Sequence, residues 1–238
     1  MMQAKPLTFK AVVFDWDGTV CSSIGFIVSS LQHTAKALGR EPFPMESCYR
    51  VIGLGWDDII GILAPDLDDD GRARFRKAFS EDYFRHQKEV TPFPGMRALV
   101  EGLNCQGVPL AIATGKSRRG LNQVLEHLGM TALFTSTMTD TECLPKPNTE
   151  MIENIAIELG IEPNECVVVG DNPADLWMGI NVGAQVIGVA WGAGREAQLR
   201  EVGPVDVVND VLTLAHYLGA DETTLAAINA EIAASEAF

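Results

Sequence analysis

Apolar positions follow two rhythms along the chain. Short unbroken runs, Val12-Val13-Phe14, Val108 to Ala113, Cys166 to Val169 and Val186 to Ala190, have the pattern of strands buried on both faces. Phe134 to Thr137 and Asp206 to Val208 add two shorter candidates. Between them apolar residues recur at helical spacing: Ile24, Ile27, Val28, Leu31, Ala35 and Leu38, then Met96, Leu99, Val100 and Leu103, then Leu121, Val124, Leu125 and Leu128. Ser22 or Ser23 is placed to cap the first helix, and Asn148 to cap another running from about Thr149 to Leu159. Strands separated by helices predict an α/β chain with a doubly wound parallel sheet.

One block breaks the alternation. From Gly39 to about Thr91 only helical patterns occur: Cys48 to Ile52, Asp57 to Leu63, and Asp68 to Lys88 with Phe75, Phe79, Tyr83 and Phe84 on one stripe. Residues 21–91 therefore read as an all-α insertion into a core made of 1–20 and 92–220. Thr91-Pro92-Phe93-Pro94-Gly95 is the stiff return, and 221–238 reads as an Ala-rich helical tail without an evident task.

Composition narrows the function. A formal net charge of −14 over 238 residues argues against general binding to nucleic acid or an anionic membrane, so an anionic ligand needs a local cluster of donors. Cys21, Cys48, Cys105, Cys143 and Cys166 form no C-x-x-C pair, which fits reduced thiols in a cytoplasm. Met1 to Lys10 has no apolar segment of signal-peptide length, and no later run approaches a membrane span.

Three strand ends share one design, an apolar run closing on a polar residue beside a glycine. They are Asp15-Trp16-Asp17-Gly18, Thr114-Gly115 and Gly170-Asp171. In an open α/β sheet ligands bind beyond the carboxyl ends of the strands, so the three can face one crevice. Asp15 and Asp17 leave an extended chain on the same side, where two like charges are costly unless a divalent cation or a proton joins them. A strand that merely turns into solvent has the same local pattern. Thr114 reads equally as a helix cap or as an anion-binding hydroxyl, and Asn172-Pro173-Ala174-Asp175 as an ordinary helix start. Lys146, between Pro145 and Pro147, reads as a surface charge or as a positioned ammonium.

Asp15-Trp16-Asp17-Gly18-Thr19 resembles the first signature, Asp-x-Asp-Gly-Thr, of the haloacid dehalogenase-like phosphohydrolases, and the later motifs resemble their phosphoglycolate phosphatase branch. The resemblance runs from about Phe9 to Leu218, and it implies a Rossmann-like core with the helical insertion as a cap over the active site. It assigns Asp15 as nucleophile and Asp17 as general acid and base. Thr114 and Gly115 hold the transferring phosphoryl group, and Lys146 neutralises charge. It further implies Mg²⁺ on Asp15, Asp171 and the carbonyl of Asp17, with Asp175 behind them, an oxygen-only set of the kind Mg²⁺ prefers.

Two positions depart from the pattern. Ser22 stands where many relatives carry Asp, and Asn172 where Thr or Ser is common. The implied activity is hydrolysis of a small phosphorylated metabolite, phosphoglycolate-like, through an aspartyl phosphate. A sugar phosphomutase and a non-catalytic phosphometabolite-binding regulator are the alternatives, and oligomeric state stays open. Arg50, just before the stretch Val51-Ile52-Gly53-Leu54-Gly55-Trp56, is the candidate for a second substrate charge, with a surface salt bridge as its ordinary alternative.

Overall fold

A computed structural model describes residues 6–236; residues 1–5 and 237–238, the outer ends of the sequence-drawn core and tail, lie outside it. The chain begins β1 (Ala11–Phe14), α1 (Ile24–Ala37), α2 (Met45–Arg50), α3 (Trp56–Leu63), α4 (Asp69–His86) and α5 (Met96–Cys105). It continues β2 (Leu110–Thr114), α6 (Arg118–Leu128), β3 (Ser136–Thr139), α7 (Glu150–Leu159), β4 (Cys166–Gly170) and α8 (Pro173–Asn181). It closes with β5 (Gln185–Val189), α9 (Glu196–Val202), β6 (Asp206–Val208), α10 (Val211–Tyr217) and α11 (Glu222–Glu236).

The strands form one parallel sheet in the order β3-β2-β1-β4-β5-β6, the doubly wound arrangement the alternation predicts. Phe14 is in register with Ile112 on β2 and Val169 on β4, so the residues just past these strands emerge side by side at one edge. Alternation along β1 splits the core. Val12 and Phe14 join the cluster holding Met96, Leu99, Leu121 and Leu214, while Ala11 and Val13 face Met151, Ile155, Leu176 and Leu199. β3 starts two residues later than the pattern Phe134 to Thr137 predicts, and Phe134, just before it, packs edge-on against buried Trp16 with ring centroids 6.0 Å apart.

Helices α1 to α4 lie between β1 and β2 in sequence and enclose an apolar cluster of their own around Leu31, Phe43, Ile60 and Phe75. Two strands of chain join this block to the sheet side by side. The N–H of Ser22 donates to the Thr91 carbonyl and that of Phe93 to the Val20 carbonyl. Helix α11 packs along α5, with Ile228 and Ile232 against Gly95, where the chain re-enters the core. No helix among the described residues is long and apolar enough to cross a membrane.

Candidate active site

The first group to emerge at the sheet edge is Asp15, buried directly after β1. Lys146 Nζ donates to its Oδ1 at 2.6 Å and to Asp175 Oδ1 at 2.6 Å, closing a buried acid–base–acid bridge between loops 131 and 29 residues apart in sequence. The other oxygen of Asp175 accepts the Asn172 N–H at 3.0 Å, so both its oxygens are engaged. Asp171 is buried beside them, accepting from the Thr19 hydroxyl at 3.2 Å and the Ala193 N–H at 2.6 Å. One carboxylate oxygen from each of Asp15, Asp171 and Asp175 lies within 4.8 Å of the others. Burial pushes Asp15 up to about 7, Lys146 pulling it down and Asp175 up. Burial likewise holds Asp171 well above the usual carboxylate range, with Asp15 and Asp175 adding to the effect. Were all three buried acids ionised, the one ammonium between them would leave an excess of negative charge, which burial resists by favouring protonation; an all-oxygen set of this kind fits a hard divalent cation in the protons' place.

Asp17 is held apart from that bridge. Its Oδ2 pairs with Lys116 Nζ at 2.9 Å, and its Oδ1 accepts from the Ser23 hydroxyl at 2.5 Å and the Tyr83 hydroxyl at 3.3 Å. Ser23 starts α1 without a side-chain cap, its hydroxyl turned to Asp17. Lys116 also donates to Tyr83 at 2.8 Å, which ties helix α4 to the loop after β2. Burial alone would depress the Lys116 ammonium, and Asp17 and Tyr83 more than offset it. Burial, reinforced by Asp17, pushes the Tyr83 phenol up to about 12. Thr114 is buried at the end of β2 with its hydroxyl accepting the Lys116 N–H at 3.2 Å, and Gly115 faces open space beside it.

All of these side chains fall within residues 12–189, the span matched by the family model of the haloacid dehalogenase-like hydrolases. The chain belongs to that family. This haloacid dehalogenase-like hydrolase is 30% identical over 215 residues to a pyrophosphatase PpaX of Bacillus pumilus, covering 90% of this chain and 98% of that protein. It is 28% identical over 219 residues to a phosphoglycolate phosphatase of Agrobacterium fabrum, covering 90% and 93% of the two chains. A crystal structure of a hydrolase from Pseudomonas syringae shares the fold, with a TM-score of 0.80 at 24% identity over 88% of this chain and 98% of that one.

Within this hydrolase the departures from the family pattern acquire reasons. Asn172 caps α8 through its Oδ1, which accepts the Ala174 N–H at 3.0 Å, and donates its Nδ2 to the Ile52 carbonyl at 2.8 Å. A Ser or Thr hydroxyl is too short to span from cap to helical block in this way. Ser22 is exposed and joins the paired connections through its backbone. Arg50 stands elsewhere: it is exposed and lines an outer groove with Asn172, Arg195 and Gln198, apart from the cavity above Asp15.

Sequence reasoning did not single out Lys116, Tyr83, Thr19, Asp140 or the Trp191-Gly192-Ala193-Gly194 loop. That loop follows β5 and wraps Asp171 so tightly that a Cβ at Gly192 or Gly194 would overlap the aspartate. The repeated strand-then-glycine pattern was the available signal. Asp140 lines the cavity with its Oδ1 bonded to nothing among the described residues. Burial pushes this carboxyl from 3.8 up to about 7, against the pull of Lys146 and Arg76. The folded protein thus holds a proton that the unfolded chain has released, and stability contributed by neutral Asp140 is lost as pH rises through 4 to 7. Such a displacement has a ceiling of ~4 kcal/mol, which partial solvent contact reduces to about 1–2 kcal/mol. Asp140→Asn is expected to flatten that part of the profile, its advantage over wild type growing with pH, as urea unfolding midpoints between pH 4 and 7.5 will show.

Proposed function

We propose that this chain is a Mg²⁺-dependent phosphatase of a small phosphorylated metabolite in the cytoplasm, working through an aspartyl phosphate on Asp15 beneath a cap formed by residues 21–91. The observation that carries the reading is the separation of two carboxylates one residue apart: Asp15 is bound to Lys146, and Asp17 to Lys116. Paired acids with different partners can take different roles in one reaction. The relatives named pyrophosphatase and phosphoglycolate phosphatase support the same class.

Asp15, Asp171 and the backbone carbonyl of Asp17 would hold Mg²⁺, which when bound supplies charge neutralisation for the phosphate. Thr114 and the N–H groups after it orient the phosphoryl oxygens, and Lys146 offsets charge at the nucleophile. A carboxylate oxygen of Asp15 bonds to phosphorus as the ester P–O bond breaks, and protonated Asp17 gives its proton to the departing alkoxide. Asp17 then takes a proton from water as that water attacks phosphorus. The acyl phosphate bond breaks, releasing inorganic phosphate and restoring the Asp15 carboxylate. Asp175, with one oxygen on Lys146 and one on the start of α8, holds the ammonium in place.

The test is phosphate release from 4-nitrophenyl phosphate by the full chain. Turnover with Mg²⁺ is expected, with loss in EDTA, recovery on adding excess Mg²⁺, and one phosphate per alcohol freed. Undiminished rates after chelation, or no phosphate release at all, would overturn the reading.

A further inference from the structure

The cavity over Asp15, Asp17 and Thr114 has a free volume of about 140 Å³, and its far wall comes from the helical block. Ile27, Leu54, Trp56, Ile59, Phe79 and Phe84 line that wall half-buried; all but Phe84 pack on the block's own core with one side and turn the other to the cavity. The aromatic groups are organised: Trp56 meets Phe79 edge-on with centroids 5.1 Å apart, and Phe79 stacks on Tyr83 at 5.7 Å. An apolar surface kept open to a catalytic floor is stabilised when an apolar group covers it.

The charges point the same way. Among the described residues lining the cavity the sole cation is Lys116, and its ammonium is bound to Asp17 and Tyr83. Arg76, on α4, is paired with Asp57 at 2.7 Å, and Arg50 and Arg195 lie on the outer groove. Around the reaction centre stand Asp15, Asp17, Asp171 and Asp175, with Lys116 and Lys146 as the protein's counter-charges. In the phosphatase reading these ammonium groups and the divalent cation are engaged by the acids and by the phosphoryl group itself. A leaving group with a further carboxylate or phosphate would bring more negative charge to a wall with no free cation for it, and a sugar would set most of its hydroxyls against apolar side chains, with Ser80 and Ser117 the wall's hydroxyl partners.

We infer that the phosphate ester accepted here has a small, uncharged, apolar alcohol as its leaving group, aromatic or branched alkyl, seated between Trp56, Phe79 and Ile59. The inference rests on the phosphatase reading and specifies its substrate class. The free volume has to hold the phosphoryl group over Asp15 and Thr114 as well as the leaving group, and a single benzene by itself occupies an engineered apolar cavity of roughly 150 Å³. The leaving group is therefore no larger than one aromatic ring or a short branched chain.

The decisive comparison is kcat/KM for benzyl phosphate, methyl phosphate, 2-phosphoglycolate, glucose 6-phosphate and pyrophosphate, with 4-nitrophenyl phosphate as the general reporter. The first four leave as alkoxides and pyrophosphate has a better leaving group, so reactivity does not favour the aromatic ester. Benzyl phosphate is expected to exceed phosphoglycolate, the sugar phosphate and pyrophosphate by about tenfold or more, within the range set by apolar pocket contacts. Trp56→Ala should lower kcat/KM for benzyl phosphate by at least ~10-fold more than for methyl phosphate, chiefly through KM. Trp56→Leu, which keeps the wall apolar and packed, should restore most of that difference. Phosphoglycolate, pyrophosphate or the sugar phosphate matching benzyl phosphate would overturn this inference and leave the phosphatase standing. Failure to release phosphate from every compound would overturn the phosphatase reading and this inference with it.

Discussion

Asp15→Asn is expected to lower phosphatase turnover by about 10⁴-fold or more while leaving the protein folded. The amide cannot form the acyl phosphate, so the two-step route is lost and only positioning and charge neutralisation remain. Folding should survive because Asp15 is a buried acid whose charged form is disfavoured by its surroundings, and because Lys146 keeps Asp175 at 2.6 Å. Asp17→Asn retains the nucleophile and loses proton transfer, for which roughly 10²–10⁴-fold is expected. Steady-state phosphate release, with circular dichroism and thermal unfolding of each variant, separates the two. Acid-stable incorporation of phosphate into Asp15→Asn, or wild-type turnover by either variant, would remove the mechanism.

Lys146→Met should have the largest effect on stability. In the folded chain the ammonium is buried with both carboxylates at 2.6 Å, and burial by itself would depress it were Asp15 and Asp175 not holding it charged. Methionine is close in length and fills the space, so the loss is electrostatic and not a cavity. Breaking one side of a buried pair leaves uncompensated charge, at a cost of about 3–5 kcal/mol. The measurement is urea unfolding in EDTA, which isolates the chain's own contribution. Added Mg²⁺ should then stabilise wild type and variant alike if Asp15 and Asp171 hold the ion, in proportion to the logarithm of its concentration. A variant as stable as wild type would show that the bridge is marginal to the fold. The same substitution also removes charge neutralisation at the nucleophile, so its turnover should fall together with Thr114→Val.

What the amino-acid order determined by itself was the scaffold and the places where chemistry emerges from it. The unbroken runs at Val12 to Phe14 and Cys166 to Val169 have the pattern of strands covered on both sides, since an exposed sheet would alternate, and such strands in a βα alternation pair in parallel. Parallel pairing brings every strand's carboxyl end to one edge, so Asp15, Thr114 and Asp171 were legible as neighbours before any contact was known. Only the tertiary structure decided the partners. Lys116 lies next to Gly115 in the chain and resembles any helix-start lysine; its binding to Asp17 and to Tyr83 arises because α4 folds back over the loop after β2. Arg50 has a suitable charge, and the fold sets it on an outer groove with Asn172 and Arg195. The apolar wall behaves likewise: helical spacing marks Phe75 and Phe79 as one stripe, and packing alone sets Phe75 into the block's core and leaves Phe79 at the cavity. Periodicity is a local property of the backbone and is written in each segment, whereas which ammonium meets which carboxylate depends on how separate segments dock, and that is set by the sum of contacts over the whole chain.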